Sequence, residues 1–228
     1  MAALSPELRK LCPAKGFVYV WEAPVRISHW VSVVCIMILA VTGLYIHYPF
    51  FTYDTVNSTP YVMGQVRYIH YLTGFIFTTS VLLRLWWAIV GNQYAHIRTV
   101  YNPFKKKDRK LIISYLKYYF FLEKNPPHTL THNPMAQYAY IGIFLVFIFQ
   151  IFSGFYLWSL NDPHSTLYAS LTWFNSIGNV QYIRMLHYFV VYIIATFLII
   201  HLYAAVLVDF RTHSGDVSSI FSGWKADT

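Results

Sequence analysis

Four stretches of the chain run apolar for about twenty residues with scarcely a charge between them. They lie near Ile27–His47, Tyr68–Val90, Gln137–Ser159 and Leu186–Val208. Wound as α-helix at about 1.5 Å per residue, each is long enough to cross the roughly 30 Å of hydrocarbon in a bilayer. A fifth apolar stretch, Leu111–Leu122, is interrupted by Lys117 and too short to span. It predicts a helix lying in the interface, with Tyr115, Tyr118, Tyr119 and Phe120 near the headgroups. The pattern therefore predicts an all-α membrane protein: a bundle of four transmembrane helices in a single domain over residues 1–228, with an interfacial helix in the loop between spans two and three.

Composition agrees. The chain is 57% apolar and 11% charged, where a soluble domain usually carries about 25% charged residues. Aromatic residues reach 20%, many of them at the ends of the apolar runs, as interfacial belts require. Met1 to Glu22 is polar and charged and lacks the short apolar core of a cleavable secretion signal, so the mature and translated chains are expected to be almost the same. Cys12 and Cys35 should lie at different depths, which predicts no disulfide between them. Neither forms CxxC or CxxCH, which argues against iron–sulfur clusters and covalently attached haem on this chain.

The formal charge of +8 raises the question of nucleic acid, and its distribution answers it. Four spans put both termini and the central loop on one side of the membrane. That side holds Arg9, Lys10, Lys15 and Arg26, eight cations from Arg98 to Lys124, and then Arg211 and Lys225, fourteen in all; the other side has Arg67 and Arg184. The positive-inside rule makes the termini cytoplasmic, and the basic balance becomes a topology signal aided by anionic lipid, with no nucleic-acid partner implied. The outer loops, Tyr48–Val66 and Leu160–Ile183, are long enough to present a docking surface.

Ionisable side chains within a membrane are costly and mark functional sites. Of the ten histidines, His29 opens span one, His70 opens span two, and His187 and His201 lie on span four. Alternating span directions put His70 and His187 near the outer face, His29 and His201 near the inner. His187 and His201 are fourteen residues apart; at about 100° and 1.5 Å per residue they share one face of the helix at levels roughly 21 Å apart. Two level pairs of imidazoles suit two non-covalent bis-histidine haems stacked in a helix bundle, the arrangement of a low-spin electron carrier. His47 is the main rival ligand at the outer level, though an interfacial position suits it better. His96, His128, His132, His164 and His213 fall in loops or tails. Gly43, fourteen after His29, and Gly74, four after His70, are placed to let a flat macrocycle approach the backbone, or simply to pack helices. Arg84, fourteen after His70, is a candidate partner for an inner haem propionate, and Arg67 and Arg184 for an outer one.

These residues resemble a known family, the b-type cytochrome subunits of membrane-bound nickel–iron uptake hydrogenases, within the di-haem cytochrome b561-like superfamily. The resemblance is carried by Arg26-Ile-Ser-His-Trp30 leading to Val41-Thr-Gly43, by Arg67-Tyr-Ile-His70, by Thr131-His-Asn-Pro134 with Gln137, and by His187 followed by His201-Leu-Tyr203. It covers about Phe17 to Trp224 and departs at Tyr188-Phe189, where a basic and then an aliphatic residue would be expected. The resemblance implies a bacterial inner membrane and a periplasmic partner made of a nickel–iron large subunit and an iron–sulfur small subunit. Electrons would enter at the His70/His187 haem, pass to the His29/His201 haem and reduce menaquinone or ubiquinone near the cytoplasmic side. Asn133 and Gln137 are the candidate quinone contacts; Asn133 also suits a helix cap before Pro134. Two other functions compete: the cytochrome b subunit of a membrane formate dehydrogenase or related reductase, and a haem-free transporter. Against the transporter, no internal repeat is evident.

Overall fold

The computed structural model describes residues 16–50, 61–97, 100–102, 104–120, 122–123, 134–212 and 215–227. The elements follow in the order β1 (Gly16–Tyr19), α1 (Ala23–His47), α2 (Val62–Val90), α3 (Lys106–Tyr119), α4 (Pro134–Ser159), α5 (Thr166–Leu171), one turn of 3₁₀ helix (Thr172–Ser176), α6 (Val180–Thr212), α7 (Asp216–Ser222) and β2 (Trp224–Asp227). Four of these, α1, α2, α4 and α6, are long and apolar enough to cross a membrane. The chain is a multi-pass, predominantly helical membrane protein.

The helix ends have local causes. The carbonyl of Glu22 receives the amides of Val25 and Arg26, and Pro24 sits in the first turn of α1, where its missing N–H costs nothing. Pro134 opens α4 for the same reason. Asn179 Oδ1 accepts the Tyr182 amide at 2.9 Å and starts α6. Both α2 and α6 begin six residues before the expected spans, because polar residues such as Gln65, Arg67, Gln181 and Arg184 are good helix formers outside the hydrocarbon. Large apolar side chains remain exposed on all four helices, among them Met37, Leu82, Leu145 and Ile199; in a bilayer these face lipid. The amphipathic α3 starts earlier than its apolar residues suggest, with Lys106, Lys107 and Lys110 exposed and Tyr115 buried.

The chain divides into two compact units. The first comprises residues 28–83 and 143–198. Its core joins Cys35 of α1, Phe77 and Val81 of α2, and Ile143 and Phe147 of α4, with Ile194 and Phe197 of α6 against them. Polar contacts tie α1 to α2 here: Ser80 Oγ donates to the Ser28 carbonyl at 2.9 Å, and the Ser32 and Ser80 hydroxyls meet at 2.9 Å. Such interhelical hydrogen bonds are typical glue between membrane helices. A second cluster packs Tyr156 of α4 and Ile183 of α6 with Leu171 and Phe174.

The second unit comprises the described residues of 1–27, 84–142 and 199–228. It contains a feature the sequence did not announce, the antiparallel pair β1–β2, with Gly16 opposite Asp227 and Tyr19 opposite Trp224. The pair closes over a core of Val20, Trp21, Val25 and Ala95. Glu22 Oε2 accepts from Trp87 Nε1 at 2.8 Å and from the Asn92 amide at 2.9 Å. Gly223 turns the chain into β2 at a positive φ of 88°, where a Cβ would lie 2.7 Å from the Trp21 carbonyl oxygen. Lys225, 8% exposed, is neutralised by Asp216 Oδ1 at 2.5 Å. Removing one member of a buried ion pair costs about 3–5 kcal/mol, less where one partner is part-exposed as Asp216 is. Asp216→Ala should therefore release β2, read as faster limited proteolysis at the C-terminus, while Lys225→Met should be milder.

Candidate functional site

The first unit brings His70 of α2 and His187 of α6 together. Their ring centroids are 6.5 Å apart and their planes cross at 69°. Each imidazole is held along one edge by a hydroxyl–glycine dipeptide on a neighbouring helix. On α1, Thr42 Oγ1 lies 2.8 Å from His70 Nδ1, and a Cβ on Gly43 would stand 3.3 Å from His70 Cε1. On α4, Ser153 Oγ lies 2.8 Å from His187 Nδ1, and a Cβ on Gly154 would stand 3.2 Å from His187 Cε1. Thr42 and Ser153 are buried. The two cradles have the same form on different helices.

Hydrogen-bond donors and acceptors determine the tautomers. Thr42 Oγ1 donates its hydrogen to the Ile38 carbonyl at 2.7 Å, and Ser153 Oγ donates to the Gln150 carbonyl at 3.2 Å. A hydroxyl has one hydrogen; with it on the carbonyl, each oxygen accepts from the imidazole, an arrangement that assigns the proton to Nδ1 in both rings. In His70 this assignment leaves the lone pair on Nε2. In His187 it faces Gln150 Nε2 at 3.2 Å, and the same amide also donates to the His187 carbonyl at 3.2 Å. Gln150 Oε1 is buried and has no hydrogen-bond partner among the described residues.

This donor set fits a haem iron. Two imidazole nitrogens each about 2 Å from one metal, with the half-width of each ring added, put the centroids roughly 6 Å apart, close to the spacing found. Both Nε2 atoms are the unprotonated form that ligation requires, and Gly43 and Gly154 leave the room a side chain would fill. An iron bound at Nε2 of His187 would take the lone pair that Gln150 contacts, so that amide must turn aside. No group of three or more His, Cys, Asp or Glu that could hold a metal ion is found among the described residues; a haem needs none, because the porphyrin supplies the other ligands.

The remaining candidates are placed as follows. His29 lies on α1 in the first unit, half-buried, with its ring edge-on to Trp30 at 5.2 Å. His201 lies on α6 in the second unit, half-buried, with Tyr140 edge-on at 5.8 Å. His47 is exposed and stacks on Tyr188, centroids 3.7 Å apart, so its ring is engaged by an aromatic face. Around Gly74 a Cβ would meet nothing within 4 Å. Arg84 is half-buried on α2; Arg67 and Arg184 are exposed, and Arg184 Nη1 contacts Gln181 Oε1 at 3.1 Å. Gln137 Oε1 accepts the Tyr101 amide at 3.0 Å, and Tyr138 OH donates to the Tyr101 carbonyl at 2.8 Å. Asn133, with His128, His132 and His213, lies outside the described residues. Sequence reasoning missed Ser153, Gly154 and Gln150, and valued Thr42 only as part of a motif. The repeated hydroxyl–glycine pair, Thr42-Gly43 on span one and Ser153-Gly154 on span three, was the available signal.

With that geometry in view, the comparison with known proteins is decisive. The pattern of the family described as prokaryotic cytochrome b561 matches residues 20–223. The chain belongs to this family. Membership implies b-type haem. The chain is 32% identical over 212 residues to the probable Ni/Fe-hydrogenase 1 B-type cytochrome subunit of Escherichia coli (strain K12), covering 91% of this chain and 90% of that one. It is 35% identical over 212 residues to the probable Ni/Fe-hydrogenase B-type cytochrome subunit of Rhodobacter capsulatus, covering 91% and 81%. The protein of the same name from Bradyrhizobium diazoefficiens is 35% identical over 210 residues, covering 90% and 85%.

Proposed function

We propose that the chain is the membrane anchor and electron-carrying subunit of a nickel–iron hydrogenase, connecting a periplasmic large and small subunit pair to the quinone pool through two b-type haems. The observation that carries this reading is the facing pair His70 and His187, both offering Nε2, in a member of a b-type cytochrome family. The names of the relatives, all Ni/Fe-hydrogenase cytochrome subunits, support the choice of partner.

Bound haem supplies a one-electron couple. The chain's own residues do the rest: His70 and His187 hold the outer group, His29 and His201 the inner, and Arg84 offers a cation to a propionate at the inner level. Asn133 and Gln137 remain the candidate quinone contacts, and Gln137 Oε1 accepts the Tyr101 amide. The termini face the cytoplasm, on the charge bias described above, in a bacterial inner membrane.

The test is to purify the tagged chain from its native membranes, measure nickel in the preparation, and expose it to hydrogen. Nickel should co-purify, and hydrogen should raise the reduced α-band of b-type haem, with reoxidation by added quinone. Molybdenum or tungsten in place of nickel would move the chain to a formate dehydrogenase, and absence of any α-band would leave the transporter reading. Gln150→Leu should leave the haem content unchanged, because the amide competes for the ligating nitrogen and does not supply it; a pyridine-haemochrome assay checks this.

A further inference from the structure

We propose that Thr42 and Ser153 are a matched pair of positioning residues that fix His70 and His187 as Nε2 ligands and bias the iron between them towards its oxidised form. The inference rests on the haem-binding reading above and adds to it a specific role for two hydroxyls.

Each hydroxyl hydrogen is directed to a carbonyl of its own helix, Ile38 for Thr42 and Gln150 for Ser153. In that arrangement each oxygen accepts from the imidazole at 2.8 Å. The contact is directional as well as polar. Gly43 and Gly154 lie against Cε1, the carbon between the two ring nitrogens, so hydroxyl and glycine hold adjacent atoms of one ring edge. A half-turn of a ring held there would put Cδ2 where Nδ1 stands and lose the hydrogen bond to the hydroxyl. The opposite nitrogen is then the one presented.

The electronic consequence follows. A metal-bound imidazole that donates its other N–H to an acceptor becomes a more electron-rich ligand, and such hydrogen bonds are among the levers that set haem potentials. More electron density on the ligating nitrogen favours the more positively charged ferric iron. Reduction adds one electron at the iron, while both Nδ1 protons stay where Thr42 and Ser153 hold them. Because the two hydroxyls would act through two histidines on one iron, their effects should add in the same direction.

The experiment is a redox titration of the α-band in the full-length chain, purified with its haem, for wild type, Thr42→Val, Ser153→Ala and Thr42→Ser. Valine fills the volume of threonine and serine restores the hydroxyl. One titrating component should shift in Thr42→Val and in Ser153→Ala, with the ferrous-to-ferric ratio at fixed potential rising roughly three- to tenfold, tenfold corresponding to about 59 mV for one electron. The other component should stay put, and Thr42→Ser should return the first to its wild-type position. Loss of one haem in Thr42→Val with retention in Thr42→Ser would also support the role, since only the hydroxyl differs in function. Unchanged potentials in both Thr42→Val and Ser153→Ala, or equal shifts of both components, would overturn it. A wild-type chain without haem would defeat the underlying reading itself, and would be seen before any substitution is made.

Discussion

Replacing either His70 or His187 with alanine is expected to take the purified chain from two b haems to one, and to remove the same haem each time. The reason is geometric. The two rings lie at a centroid distance of 6.5 Å in one unit of the fold, so on the proposed reading both would hold the same haem. Residues that act as a unit are non-additive. The double substitution should therefore cost no more haem than either single one. The measurement is haem per chain by pyridine haemochrome, with a reduced-minus-oxidised spectrum to say which component has gone. If His70→Ala and His187→Ala removed spectrally different haems, the pairing would be wrong even though both residues were ligands.

The second large effect is expected at the glycines. A methyl group at Gly43 or Gly154 would sit 3.3 Å or 3.2 Å from the Cε1 of its histidine, closer than carbon atoms prefer to pack. The imidazole cannot easily retreat, because the adjacent Nδ1 is hydrogen-bonded at 2.8 Å in each case. Gly154→Ala should therefore weaken haem retention, and Gly154→Val should abolish it for one haem, matching His187→Ala; Gly43→Val should match His70→Ala. At Gly74 a Cβ would meet no protein atom within 4 Å, so Gly74→Ala should displace neither histidine. Haem content after a fixed series of detergent washes distinguishes these outcomes. Equal retention in Gly154→Val and wild type would show that the His187 ring is not held against that backbone when haem is bound.

The spans were legible because hydrocarbon imposes a single rule on every residue within it, and long apolar runs are hard to write by accident. Their ends were less so. The first turns of α2 and of α6 are polar, and nothing in an apolar window marks where a helix continues into the interface. The β1–β2 pair was invisible for another reason: two strands of four residues, far apart in the sequence, have no local signal, and the contacts joining them run from Trp21 to Ser219 and from the Val20 and Trp21 amides to the Gly223 carbonyl.

At the site, the depth argument set His70 against His187 from span direction alone, and those two rings do meet. What could not be read was the second layer. Ser153 in an apolar helix looks like a packing residue, and its importance lies in where one oxygen points. Gln150 is similar: a single amide in a span is conspicuous, but its aim at Nε2 depends on the rotation of α4 against α6. Periodicity gives such rotations only to within a residue or so. Gly43 was singled out for its spacing from His29, whereas the ring it lies against is that of His70.

The central claim is that one iron is gripped by His70 and His187 through their Nε2 atoms. A cryo-electron microscopy map of the intact, haem-loaded chain in its complex tests this most directly. The account predicts a porphyrin between those rings, with the Thr42 and Ser153 hydroxyls on the far nitrogens and the Gln150 amide turned from its present contact. A porphyrin held by any other side chains, or ligation through Nδ1, would contradict it.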